Sequence, residues 1–165
     1  MKILVSFLMA LFFLGCSSAD TKAMNVEPKL VINKSLKDLT LNDQFEKQHK
    51  LEPTTTKVIF AFSKDVAHSC NEYLGTKKPT YLKDNNVEFV ADISGAPSLI
   101  RSMFIMPGLK DFKYNVLIID DKKVALPYKQ GQNIEKILVV ELKDGVIVNT
   151  KSLSSVEELV KEIEN

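Results

Sequence analysis

Two sulfurs, Cys16 and Cys70, are the groups in this chain best suited to covalent chemistry. Cys70 closes the stretch Phe62-Ser63-Lys64-Asp65-Val66-Ala67-His68-Ser69-Cys70, which follows an apolar run and enters a helical pattern. Dithiol exchange needs an attacking and a resolving sulfur, and no Cys-x-x-Cys occurs. One-sulfur chemistry remains open, as a peroxidase or a mixed-disulfide exchanger with Cys70 as the catalytic nucleophile. It requires an exposed thiolate of lowered pKa. Helical spacing argues the other way. Val66, Cys70, Tyr73 and Leu74 recur at i, i+4, i+7 and i+8, which puts Cys70 on an apolar, inward face. A cysteine there acts as a small hydrophobe. His68 is two positions away and falls on another side of the helix, so no Cys–His pair is expected. Asp65, His68 and Glu72 share the outer face and have ligand chemistry. With His49 apart in a turn and no second His/Cys cluster, a solvated face is expected and no metal.

The elements that must position these residues follow in a regular order. Leu39 to Leu41 and Lys50-Leu51 flank a turn at Asn42-Asp43 and form a leading hairpin. Lys57 to Phe62 is a continuous apolar run, the mark of a strand buried on both faces. Asp65 caps a helix that runs to Leu74 and stops at Gly75. Val87 to Ile93 is the next strand. Pro97 opens a helix through Phe104, ended by Pro107-Gly108. Its Leu99, Ile100, Met103 and Phe104 are spaced as a core stripe, and Met and Phe beyond that stripe can make an adaptable binding surface. Asn115 to Ile119 is a third buried strand. Tyr128 to Gln132 reads as a polar loop after Pro127. Lys136 to Leu142 and Val146 to Asn149 form a hairpin across Lys143-Asp144-Gly145. A final helix begins near Ser154, where Ser154 with Glu157 or Ser155 with Glu158 makes a capping box.

Strand, helix, strand, helix, strand, hairpin, helix implies an α/β domain with right-handed crossovers and a parallel core. From Leu36 to Ile163 this order resembles the thioredoxin-like fold: a central mixed sheet, helices on both faces and an N-terminal β-hairpin extension. Asp43-Gln44-Phe45, Phe60-Ala61-Phe62-Ser63-Lys64-Asp65, Phe89-Val90-Ala91-Asp92-Ile93-Ser94-Gly95 and the Met-rich helix resemble small periplasmic thioredoxin-like proteins, some of which carry a dehydrogenase label. The resemblance places chemistry just after the first central strand. Laid on the peroxiredoxin pattern Pro-x-x-x-Thr/Ser-x-x-Cys, Cys70 takes the peroxidatic place, Ser63 replaces the proline and Ala67 the hydroxyl residue. Redox thioredoxins also place a cis-proline before the third central strand, where this chain has Asn115. No Gly-x-Gly-x-x-Gly follows any strand, so no flavin or other cofactor is implied.

The start of the chain decides where such a domain works. Lys2, the apolar run Ile3 to Leu14 and small residues after it make a secretory signal, too short to span a bilayer. Phe13-Leu14-Gly15-Cys16-Ser17-Ser18 resembles a bacterial lipobox. That implies a signal peptide over 1–15, lipid on Cys16, a tether over 16–35 and a thioredoxin-like domain over 36–165. Ser17 after the cysteine points to the outer membrane; an ordinary cut near Ala19 would instead leave a soluble periplasmic protein. With Cys16 lipidated, Cys70 has no partner for a disulfide. The expected partners are the membrane, through Cys16, and an envelope protein. A formal net charge of +1 and a single arginine, Arg101, argue against nucleic acid.

Overall fold

The computed structural model describes residues 26–164. The signal peptide over 1–15 and the lipidated Cys16 lie outside the described residues.

Seven strands form one sheet in the order β2-β1-β5-β4-β3-β6-β7. They are β1 (Thr40–Asp43), β2 (Gln48–Lys50), β3 (Lys57–Ala61), β4 (Val87–Asp92), β5 (Leu117–Ile119), β6 (Ile137–Lys143) and β7 (Val146–Leu153). β3, β4 and β5 run parallel, and the remaining pairings are antiparallel. The sheet is therefore mixed, with its parallel part in the middle, as the order of elements implied.

The period-2 alternation of the central strands splits the core into two layers. Ile59 and Ala61 of β3, Phe89 of β4 and Val139 of β6 pack on one face with Val66, Cys70 and Leu74 of α1 (Lys64–Gly75) and Leu159 and Ile163 of α6 (Val156–Glu164). Val58, Phe60, Val90, Leu138 and Val140 face the other side, where they meet Leu30, Leu36 and, from α5 (Lys122–Lys129), Ala125 and Tyr128. Helices thus cover both faces. A short α2 (Tyr81–Asp84), held by Leu82, precedes β4.

Several local expectations are corrected. The leading hairpin turns at Gln44 to Lys47, not at Asn42-Asp43, because the Asp43 carboxylate accepts the backbone N–H groups of Phe45 at 2.8 Å and Lys47 at 3.0 Å. Ser63, not Asp65, holds the cap position of α1. Residues 26–35 are more than a tether: Leu30 is buried, Asn33 N–H donates to the Ile147 carbonyl and Ser35 bridges Val146. Tyr128 and Lys129 are not in a loop, since Asp121 caps α5 by accepting from Lys123 N–H and Pro127 sits inside the helix.

The Pro97 helix departs furthest. α3 (Ser98–Ile100), a π-helical turn (Arg101–Ile105) and α4 (Met106–Lys110) run on in succession, and Met106 N–H donates back to the Arg101 carbonyl. The extra residue in that turn rotates the apolar stripe by about 100°. Ile105, Met106 and Leu109 carry the packing, while Leu99, Met103 and Phe104 stay 64%, 58% and 64% exposed. At the start of α6 the Ser155 hydroxyl accepts Glu158 N–H, and the Glu158 carboxylate accepts Ser154 N–H, so the second expected capping pair is the one formed. In the Asp144-Gly145 turn both residues have positive φ, 51° and 72°, as a two-residue hairpin turn requires.

Candidate functional site

The parallel strands end on one edge of the sheet, and α1 starts there. β3 delivers the chain through Phe62 into Ser63, whose backbone is extended (φ −121°, ψ 159°) before α1 begins. A thiol at this helix start would be ionised by the free N–H groups and the dipole. The first turn instead offers Lys64, Asp65 and Val66. The Ser63 hydroxyl is buried and makes no hydrogen bond among the described residues. Nothing in the sequence marked that hydroxyl, because a serine at a cap position normally bonds an N–H of the first turn.

Cys70 lies about 9 Å further along the axis, at 1.5 Å per residue, beyond the reach of the dipole, which fades within the first turn. It is 0% exposed and packs in the apolar layer with Val66 and Leu74. Burial pushes its thiol up to about 12. At neutral pH that holds the sulfur in its neutral thiol form, which is not nucleophilic. Tyr114 belongs to the same layer, and its hydroxyl donates to Asn71 Oδ1 at 2.8 Å. His68 turns to solvent and pairs with Glu72 at 3.3 Å, both side chains being 70% exposed. Asp65 is not drawn into that pair, and no described group of three His, Cys, Asp or Glu side chains can hold a metal.

His49 is not alone in a turn. It lies on β2 opposite Leu41, with Nε2 2.7 Å from Oδ2 of the buried Asp43. Burial pushes the Asp43 carboxyl up, but the bonds from His49, Lys47 N–H and Phe45 N–H outweigh it and hold it below its ordinary value. β5 is also displaced from its expected role. It flanks β4, while β6 is the strand beside β3, so Asn115 does not face the start of α1. The segment that does precede β6 ends at Lys136, and every described peptide bond is trans.

Past β4 the edge is built by charge. The Asp92 side chain, 1% exposed, accepts Ser94 N–H at 2.9 Å and the Lys129 ammonium at 2.7 Å. Arg101 donates to the Ala96 carbonyl at 2.8 Å and the Ser94 carbonyl at 3.4 Å, which fixes the loop into α3. An open cleft of about 680 Å³ runs between the leading hairpin, α3 with its π turn, and α5, floored by Ile93, Ile118 and Ile119 and rimmed by Ser98, Arg101 and Val124. Beside it stand the exposed Leu99, Met103 and Phe104. A second cleft, about 540 Å³, lies at the opposite end of the strands and holds His49, Lys83, Lys113 and Glu88. Burial raises the Glu88 carboxyl.

No family model matches the chain, and no curated protein matches it. Solved structures do. The thioredoxin domain of a thiol-disulfide oxidoreductase from Bacteroides vulgatus aligns at a TM-score of 0.53 and 16% identity, over 82% of this chain and 99% of that one. The exposed lipoprotein thioredoxin of Streptococcus pneumoniae aligns at 0.50 and 16%, over 76% of this chain and 96% of that one. A peroxiredoxin-like protein from Aquifex aeolicus aligns at 0.50 and 11%, over 84% of this chain and 89% of that one. The chain has a thioredoxin-like fold. At these identities the likeness extends to the fold and not to the chemistry.

Proposed function

We propose that this is an exported, lipid-anchored thioredoxin-like protein that works by binding in the cell envelope rather than by thiol catalysis. The observation that carries this reading is the complete burial of Cys70, the one described cysteine, in the core layer of α1. The place where the fold can activate a sulfur is occupied by Ser63-Lys64-Asp65. Without an accessible thiolate there is neither a peroxide-reactive sulfur nor an attacking thiol. Lipid on Cys16 then holds the domain on the periplasmic side of a membrane, with Ser17 favouring the outer one. No described helix is long and apolar enough to cross a membrane. The exposed apolar residues of α3 and its π turn give the domain a surface suited to binding.

The test compares wild-type protein with Cys70→Ala for peroxide consumption in the presence of a thiol reductant and for reduction of a protein disulfide. Both proteins are expected to match the protein-free rate. Peroxide turnover present in the wild type and lost in a folded Cys70→Ala variant overturns the reading in favour of a single-cysteine peroxidase.

A further inference from the structure

We infer that the cleft at the end of the strands opposite α1 is a binding site for a small ligand that carries a phosphate group. At about 540 Å³ the cleft has the size of a small-molecule site. It gathers residues from the segments that lead into the three parallel strands: Thr55 before β3, Lys83 before β4, and Lys113 before β5. Lys47, at the end of the hairpin turn into β2, joins them. α1 begins at the other end of the strands, so this cleft is separate from the place where the fold would activate a sulfur.

The charge of the cleft selects the ligand. Four lysines, Lys47, Lys50, Lys83 and Lys113, line it against two carboxyl groups, Glu52 and Glu88. That is an excess of two positive charges in a chain whose formal net charge is +1. Lys34, Lys77, Lys78, Lys129 and Lys151 are each spent on a carboxylate, whereas Lys47, Lys83 and Lys113 form no ion pair among the described residues. Asp84, next to Lys83, is itself taken by Lys78 at 2.6 Å. Lysine meets phosphate as a point charge, while carboxylate recognition leans on the fork of arginine, which this cleft lacks. Burial raises the Glu88 carboxyl, the direction that lessens its repulsion of an anion, and Glu52 is exposed and screened by solvent. Thr55 is only 5% exposed, and its hydroxyl makes no hydrogen bond among the described residues, which leaves it to a ligand oxygen.

The walls are held without a ligand. The buried Gln44 donates to the Tyr114 carbonyl at 2.7 Å and accepts Val116 N–H at 2.9 Å, which locks the segment carrying Lys113 to the turn carrying Lys47. Asp43 Oδ1 accepts Lys47 N–H at 3.0 Å, and Asp43 Oδ2 lies 2.7 Å from His49 Nε2. The Asn86 carbonyl accepts Thr56 N–H at 2.9 Å and ties the start of β3 to the segment after α2. The three unpaired lysines therefore stand on fixed backbone, and binding has only their side chains to order.

The test titrates the full chain, carrying Cys16→Ala, with glucose 6-phosphate and with glucose by calorimetry in phosphate-free buffer. Three forms are compared: that chain, the same chain with Lys47→Gln, Lys83→Gln and Lys113→Gln, and the same chain with Lys122→Gln, Lys123→Gln and Lys143→Gln. All six lysines are exposed, so neither triple disturbs the core, and both remove the same charge. The expected result is saturable heat with glucose 6-phosphate and none with glucose. The cleft triple should bind about tenfold more weakly, and the control triple should bind as the unsubstituted chain does. A phosphate on a lipid shares this chemistry, so sedimentation with vesicles of phosphatidic acid in phosphatidylcholine is the second arm. Retention on those vesicles that the cleft triple loses and the control triple keeps, with no heat from glucose 6-phosphate, assigns a lipid headgroup in place of a soluble ligand. No binding in either arm overturns the proposal. So does binding of glucose as tight as that of glucose 6-phosphate, equal weakening of the two triples, or a cleft triple that binds unchanged.

Discussion

Replacing Cys70 by serine should weaken the fold and leave every thiol-independent property unchanged. The site is 0% exposed and lined by Val66, Leu74 and the other apolar side chains of the α1 layer. The substitution puts a hydroxyl where a weakly polar thiol was. An unpaired buried hydroxyl costs about 1–3 kcal/mol in proteins. Cys70→Ala removes one buried heavy atom and leaves a small void, at about 1 kcal/mol. For a domain of this size 1 kcal/mol moves the melting temperature by roughly 4 °C. Serine should therefore lower it by about 8 °C and alanine by about 4 °C. The order matters more than the values: a packing residue makes serine worse than alanine, despite serine's closer shape. Thermal melts followed by far-UV circular dichroism, on protein with Cys16→Ala to remove the other sulfur, read the difference. A melting temperature unchanged in Cys70→Ser would refute the reasoning, since a thiol that serine replaces freely is not in an apolar site.

Gln44 is buried and ties β1 to the segment before β5, donating to the Tyr114 carbonyl at 2.7 Å and accepting Val116 N–H at 2.9 Å. Gln44→Ala orphans both backbone groups and should cost about 2–4 kcal/mol, read by urea denaturation. Gly145 has φ 72°, and a Cβ there would stand 2.5 Å from Lys37 Cγ. Gly145→Ala should cost about 1 kcal/mol or more, and Lys37→Ala beside it should relieve the contact but not the backbone strain. Burial raises Glu88 above its ordinary 4.5, so its protonated form favours folding. The stability it provides is complete below that ordinary value and lost as pH rises through the raised one. Glu88→Gln should therefore raise the melting temperature at about pH 7 and give no gain at about pH 3.5.

Much of the fold was legible because the informative segments were long and regular. Lys57 to Phe62 has nothing but apolar residues after its lysine, and a run that short and that rich in β-formers fits a strand buried on both sides. Asp144-Gly145 allows the positive φ values its turn adopts. Val156, Leu159 and Ile163 repeat at helical spacing through α6. The inward face of Cys70 followed from the same periodicity. Other features depended on contacts between distant segments. Pro127 suggested a break, but α5 continues through it to Lys129, with Tyr128 drawn into the core. The stripe of Leu99, Ile100, Met103 and Phe104 has core spacing, and only the π turn moves it outward. Neither the Ser63 hydroxyl, unpaired among the described residues, nor the Asp92–Lys129 pair has a local signature, since each is defined by what the sheet brings beside it.

The most direct test is the rate at which a small alkylating reagent modifies Cys70 across pH, in folded and in denatured Cys16→Ala protein. A buried thiol near 12 predicts modification of the folded protein many-fold slower than of the denatured chain, rising only at strongly alkaline pH. Fast modification of the folded protein, with an apparent pKa below the free-cysteine value of about 8.5, would contradict the account and make Cys70 an active nucleophile.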